Sequence, residues 1–217
     1  MRRHPALPFV LPFAAFFLFL AVQQLLPVPQ WLRFVLIGAI LLVVSRHVLG
    51  LRFVNPAASV LLGVLVFALW IGPDLLFPSY RDFWLFSNGV MGRPVSSMAA
   101  GQKADVWFLV FRVLTSVVTV PILEELFWRG WLMRWLIDRN FERVPLGSYT
   151  PESFWIVALL FASEHGSYWE VGLAAGVAYN WWMIRTKNLW DCILAHAVTN
   201  ACLAAYVIGW GQWQYWL

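Results

Sequence analysis

Three apolar segments of the sequence contain side chains that can carry out proton chemistry. Glu124 and Glu125 lie in the apolar run near residues 107 to 127, His165 ends a second run, and His196 lies in a third together with Asn200. A charge held at bilayer depth costs at least about 2.5 to 3.5 kcal/mol, so something must offset that cost. Catalysis is one reason to place such groups there.

The spacing within the acidic segment suggests different roles for its two carboxylates. Glu125 and Arg129 are four residues apart and share one face of a helix, which predicts an ion pair. Glu124 points about 100° away from Glu125 and cannot easily share that partner. We therefore predict that Glu124 is the general base, although the reverse assignment stays open.

The two histidines have partners one helical turn away. Phe161 and His165 are four residues apart, as are His196 and Asn200. The imidazole of His196 and the carboxamide of Asn200 can both donate hydrogen bonds from successive turns. Donors fixed in this way can stabilise the oxyanion that forms when water attacks an amide. Each feature alone also fits simple helix packing. The three together favour chemistry.

The composition indicates a membrane protein. The chain has 217 residues, of which 61% are hydrophobic and 12% charged, with 15 Trp, 17 Phe and 6 Tyr. A soluble domain has about a quarter charged residues, and aromatic rings collect at membrane interfaces. The net charge of +4 is scattered and forms no basic stripe, so we expect no nucleic-acid partner.

The apolar runs predict an all-α fold: a polytopic transmembrane bundle of about seven spans with a polar intramembrane cavity. Gly72, Pro73 and later Gly and Pro residues predict a loop over 72 to 104. Nothing marks a second domain, so residues 1–217 form a single membrane domain. The runs lie near 7 to 26, 31 to 49, 57 to 77, 107 to 127, 150 to 166, 169 to 185 and 190 to 209.

The distribution of basic residues predicts the orientation. With the N-terminus inside, nine Lys and Arg residues, Arg2 and Arg3 among them, fall on the inner side and four on the outer side, while Arg112 and Arg129 lie within the fourth span and are not counted. We therefore expect a multi-pass cell-membrane protein, in the inner membrane if bacterial, with its N-terminus cytoplasmic and its C-terminus outside. From His196 near the inner end of its span, the cavity should open to the cytoplasm.

The three motifs resemble those of the CAAX-processing and bacteriocin-processing (CPBP) family of intramembrane proteases, which includes type II CAAX prenyl endopeptidases. They read Glu124, Glu125 and Arg129, then Phe161 and His165, then His196 and Asn200. They lie between residues 124 and 200, within a predicted catalytic core over 104–210. Glu164, directly before His165, is a charged residue where a small or apolar one is expected.

The resemblance implies hydrolysis, within or beside the lipid bilayer, of a peptide bond in a membrane-associated or prenylated-like protein or peptide. The implied catalytic residues are Glu124, Glu125, His165, His196 and Asn200, supported by Arg129 and Phe161. Glu124 and His165 would activate water, while His196 and Asn200 would support the oxyanion. A zinc ion held by Glu124, His165 and His196 is an equally compatible alternative to a metal-free site.

Two other readings fit the same residues. A non-enzymatic scaffold or immunity-type binding protein would retain them for packing, and a transporter would use them as a proton relay. The paired broken helices in two related halves that a transporter predicts are absent from the sequence. The deciding observation is whether Glu124, His165, His196 and Asn200 converge in one cavity.

Overall fold

The chain folds into a bundle of helices. The computed structural model describes residues 4–23, 25–26, 28–89, 92–96 and 98–216, so Arg2 and Arg3 lie outside the described residues. Over these ranges there are eight α-helices and no β-strand, which confirms the all-α prediction. The helices are α1 (Leu7–Val22), α2 (Gln30–Ser45), α3 (Pro56–Leu76), α4 (Ala100–Ala104), α5 (Val106–Trp135), α6 (Pro151–Ser163), α7 (Trp169–Thr186) and α8 (Leu189–Trp210).

Seven of these helices coincide with the seven predicted spans, and α4 is a short addition. By length and composition, α3, α5 and α8 can each cross a membrane, whereas α1, α2 and α6 are apolar but shorter. Helix α1 ends at Val22, before the predicted limit of 26. The predicted loop start at 72 is wrong, because α3 continues through Pro73 to Leu76. Pro73 has no N–H to donate to the carbonyl of Leu69, four residues earlier, and the helix ends one turn after it.

The exposure pattern is the reverse of a soluble protein. Leu42, Leu61 and Leu65 are 69%, 60% and 52% exposed, while the side chains of Glu125 and Arg129 are fully buried. Isolated apolar side chains are normal on any surface, but this combination fits a lipid-facing exterior around a polar interior. The fold is thus a polytopic membrane bundle.

Helix α5 departs from regular α-helical geometry on both sides of its acidic pair. Residues Thr115–Thr119 and Leu126–Leu132 are π-helical, and the α-helical turn Val120–Glu125 lies between them. π-Helical turns are rare and occur frequently at functional sites. The backbone of α5 is therefore irregular where its carboxylates enter the interior.

The two ends of the bundle are identified by contacts between helix termini. At one end, Asp191 at the start of α8 accepts a hydrogen bond from the backbone N–H of Asn55, just before α3. At the opposite end, the hydroxyl of Tyr215, after α8, donates to Asp74 in the last turn of α3 at 2.7 Å. We call this second end the C-terminal end.

Candidate active site

Four of the five predicted catalytic residues line one cavity. Its volume is about 180 Å³, and its walls include Glu124 from α5, His165 from the turn after α6, and His196 and Asn200 from α8. Groups that activate water must lie within hydrogen-bond reach or one water molecule away. The convergence on which the enzyme interpretation depends is present.

Glu125 has two partners. Arg129 Nη1 lies 3.1 Å from Glu125 Oε1, so the predicted ion pair is present, and His196 Nδ1 lies 3.0 Å from the same oxygen. The His196 ring also stacks on Tyr179, with ring centroids 5.1 Å apart. Tyr179 in turn donates to Thr199 Oγ1 at 2.7 Å. Glu125 and Tyr179 together fix the orientation of His196.

The hydrogen bonds of the two histidines define their neutral tautomers. The carbonyl oxygen of Phe161, 2.7 Å from His165 Nδ1, can only accept, so that nitrogen carries the hydrogen. Glu125, as a carboxylate, imposes the same choice on His196. Both neutral rings therefore present an Nε2 lone pair. The sequence analysis predicted that His196 supports the oxyanion, which requires a hydrogen-bond donor. His196 can donate from Nε2 only when its ring is protonated to the imidazolium.

His165 lies outside the helix in which it was predicted. Helix α6 ends at Ser163, and His165 adopts a non-helical backbone conformation two residues later. Its ring contacts Phe161 at a centroid distance of 4.8 Å, as the spacing predicted, and Trp70 at 5.1 Å. Aromatic rings from α6 and α3 therefore hold it in place.

Two glycines that the sequence analysis overlooked let α7 approach the site closely. A Cβ atom on Gly172 would lie 3.0 Å from Cγ of His165, and one on Gly176 would lie 3.2 Å from the ring of Phe161. The two glycines form a G-x-x-x-G pattern, a known signal for close helix packing in membranes. That pattern could have identified them from the sequence.

Arg129 connects three helices. Its Nε donates to Asn180 Oδ1 at 2.9 Å and its Nη2 donates to the carbonyl of Gly176 at 3.2 Å, both on α7. Asn180 also donates a hydrogen bond to the carbonyl of Phe154, so Arg129 is linked to α6 as well. The guanidinium also lies 4.7 Å from the centre of the Phe161 ring. Asn180 is thus part of the support of the site.

Asn200 fills a gap left by a proline. In the π-helical turn, the N–H of Val120 bonds to the carbonyl of Thr115, five residues back. The next N–H in this pattern would belong to Pro121, which has none, so the carbonyl of Ser116 lacks that partner. Asn200 Nδ2 donates to this carbonyl at 2.7 Å. A carboxamide has two N–H groups, so the second stays available to the cavity.

Glu124, unlike Glu125, lies in the wall of the cavity. It is 8% exposed, and its Oε2 atom, like that of Glu125, has no hydrogen-bond partner within the described ranges. An unpaired buried carboxylate oxygen is costly, so such an atom in a cavity wall needs an explanation. Glu164, the departure from the family pattern, is not among the described residues that line this cavity.

An ionic cluster at the C-terminal end, also missed by sequence analysis, secures the turn that contains His165. Arg81 Nε lies 2.6 Å from Asp74 Oδ1, and its Nη2 lies 2.9 Å from Glu170 Oε1. Its Nη1 donates to the carbonyl of Ser167 at 2.7 Å. The loop from α3, the His165 turn and the start of α7 are therefore fastened together.

The residues predicted to bind zinc do not form a ligand set as they stand. Among the described residues, no three His, Cys, Asp or Glu side chains are grouped so that they could hold a metal ion. Glu124, His165 and His196 share the cavity without meeting at one point suited to zinc. We therefore derive no catalytic step through a metal.

The cavity lies towards the opposite end of the bundle from the one predicted. Its walls include Trp70 in the second half of α3 and Tyr215 and Trp216 after α8. These residues belong to the C-terminal end, whereas the prediction relied on the position of His196 near the start of α8. The position of His196 near the start of α8 does not determine which end of the bundle the cavity approaches, because His165 and the segment after α8 line the cavity as well.

Comparison with known proteins supports the motif-based resemblance. Residues 105–202 match the family described as type II CAAX prenyl endopeptidase Rce1-like. No curated protein and no solved structure matches the chain. The matched region contains Glu124, Glu125, Arg129, Phe161, His165, His196 and Asn200.

Proposed function

We propose that this chain is an intramembrane endopeptidase, because residues 105–202 match the family described as type II CAAX prenyl endopeptidase Rce1-like. It hydrolyses a peptide bond of a membrane-associated protein or peptide, with Glu124 activating the attacking water. The observation that carries the proposal is the single cavity into which Glu124, His165, His196 and Asn200 converge.

Glu124 and His196 share one proton in the proposed mechanism. Glu125 and Arg129 form a fully buried ion pair and neutralise each other. Glu124 and His196 line the same cavity. Since a net buried charge is costly, this pair holds one proton between its two members. In the reactive form Glu124 is the carboxylate and His196 is the imidazolium.

Hydrolysis then proceeds in two steps. Glu124 takes a proton from water as the water oxygen bonds to the carbonyl carbon of the substrate, and His165 Nε2 accepts a hydrogen bond from the remaining O–H. The tetrahedral intermediate then collapses. Its C–N bond breaks, and the proton held by Glu124 passes to the leaving nitrogen. The products are a carboxylic acid and an amine.

The oxyanion has two donors in this arrangement. His196 Nε2–H and the second N–H of Asn200 both belong to groups in the cavity wall. Their orientations are fixed in advance by Glu125 and by the Ser116 carbonyl. Donors that need no reorganisation during the reaction are the most effective. Glu125 and Arg129 are positioning residues in this mechanism, since they act through His196.

The experiment uses the purified chain in lipid nanodiscs and a pool of apolar peptides, with and without a prenylated cysteine. The reaction is run in water enriched in oxygen-18 and analysed by mass spectrometry. Hydrolysis predicts new C-termini that carry one heavy oxygen. If peptides bind but no heavy-oxygen product forms from any member of the pool, the enzyme proposal fails and the scaffold interpretation is favoured.

Dependence on zinc is tested in the same assay. The metal-free mechanism predicts that dialysis against a chelator leaves the cleavage rate unchanged. Loss of activity that zinc restores would instead require Glu124, His165 and His196 to move together as ligands.

A further inference from the structure

A second cavity with two arginines adjoins the catalytic cavity. Its volume is about 500 Å³, and Arg33 from α2 and Arg112 from α5 lie in its wall. Ser116, Val120 and Trp216 line both cavities, so these three side chains form the partition between them. We call this second space the arginine cavity.

The arginine cavity is basic. Arg33 is 4% exposed, and its Nε donates no hydrogen bond within the described part of the chain. Arg112 lines the same space. Among the described residues that line it, none is an aspartate or glutamate. An anion entering the cavity would gain the buried guanidinium of Arg33 as a cationic partner.

The other polar residues in the wall favour a peptide over a phospholipid as the source of the anion. Gln23, Gln30 and Gln102 line the same cavity. A carboxamide both donates and accepts hydrogen bonds, as a peptide backbone requires, whereas a phosphate diester only accepts. The guanidinium of Arg112 also lies 5.0 Å from the centre of the Trp216 ring, which belongs to the partition. A molecule held there therefore lies against the partition with the catalytic cavity.

We infer that the arginine cavity binds a carboxylate of the peptide substrate. This inference rests on the proposed function for its substrate class. Arg112 and Glu124 are twelve residues apart on α5, which corresponds to at most about 18 Å along the helix, because the π-helical turn Thr115–Thr119 lies between them. An extended peptide covers that distance with about five residues. The carboxylate thus lies within about five residues of the bond that is cut.

The test measures binding, so that it does not depend on turnover. Three short fluorescein-labelled peptides of alternating Leu and Ala are compared by fluorescence anisotropy with the full chain in phosphatidylcholine nanodiscs. One has a free C-terminal carboxylate, one has a C-terminal carboxamide and a Glu side chain, and one has a carboxamide and no charge. We expect at least one charged peptide to bind about tenfold more tightly than the uncharged one.

Variants identify the binding group. Arg33→Gln should remove the preference for the charged peptide, and Arg33→Lys, which keeps the charge, should retain part of it. Arg46→Gln is the matched control, since Arg46 is exposed just beyond the end of the same helix. Should Arg33→Gln prove unstable, Arg112→Gln provides the same measurement from α5.

Equal binding of all three peptides, or a preference that survives both Arg33→Gln and Arg112→Gln, would overturn the inference. A preference that disappears in phosphatidylglycerol nanodiscs would assign the arginine cavity to a lipid headgroup and overturn it too. Charged peptides that bind with the expected preference but are never cut would leave this inference standing and count against the proposed function.

Discussion

Glu125 Oε1 lies 3.0 Å from His196 Nδ1, and this contact joins two helices through residues 71 positions apart in the chain. The same oxygen pairs with Arg129. A carboxylate that sequence spacing assigned to one partner therefore serves two. A substitution of Arg129 should therefore affect the orientation of His196 as well as the ion pair.

Arg129→Ala should destabilise the protein strongly. The change leaves Glu125 buried without its cationic partner and removes the links to Asn180 and Gly176, so the free energy of unfolding should fall by about 3–5 kcal/mol. Thermal unfolding in detergent and the yield of monodisperse protein measure this. Arg46→Ala, at an exposed site, is the control. An Arg129→Ala protein as stable as the control would contradict the account.

Gly172→Ala should disturb catalysis more than stability. The new methyl group would lie 3.0 Å from Cγ of His165 and push the ring from its place. Small displacements of a catalytic group cost up to about a hundredfold in rate, whereas overpacking costs about 1–3 kcal/mol. Gly209→Ala is the matched control, because no atom lies within 4 Å of the added Cβ. Equal cleavage rates in the two variants would be evidence against the His165 assignment.

Asn200 and Pro121 should show coupled effects on stability. Asn200→Ala leaves the Ser116 carbonyl unpaired, at a cost of about 1–3 kcal/mol. Pro121→Ala supplies a backbone N–H for that carbonyl, so the double variant should be more stable than the sum of the single changes predicts. Turnover should stay about a hundredfold to a thousandfold lower whenever Asn200 is absent. Additive stabilities would show that the proline gap is not what Asn200 fills.

Contacts between residues close together in the sequence could be predicted, whereas contacts between distant positions could not. Length and hydrophobicity located the spans, and spacing by four residues predicted the Glu125–Arg129 and Phe161–His165 contacts because both are local. The contact of Asn200 with Ser116 joins positions 84 residues apart and depends on the π-helical turn before Pro121. No helical periodicity encodes such a contact. The end of the bundle that the cavity approaches likewise depends on the packing of the segment after α8.

The ionic cluster at the C-terminal end should make stability sensitive to alkaline pH. Burial, together with the hydrogen bond to Glu170, raises the pKa of Tyr80 above its ordinary value of 10.0. The folded chain therefore keeps this phenol protonated where the unfolded chain ionises it, so its contribution is intact below pH 10 and lost as the pH rises further. Tyr80→Phe should lower stability near neutral pH and flatten the alkaline decline.

This prediction is checked by thermal unfolding at a series of pH values from about 8 to about 11. Tyr149→Phe is the control, because Tyr149 is 55% exposed. If Tyr80→Phe and Tyr149→Phe change the alkaline slope equally, Tyr80 does not carry the effect.

The role of Glu124 as the base is tested most directly by replacing it with its neutral isostere. The measurement is the rate of oxygen-18 incorporation into cleaved peptide by wild type, Glu124→Gln and Glu152→Gln, a matched change at an exposed position near the start of α6. The account predicts that Glu152→Gln cleaves at the wild-type rate, while Glu124→Gln folds normally and is slower by at least about a hundredfold. A wild-type rate in Glu124→Gln would contradict it.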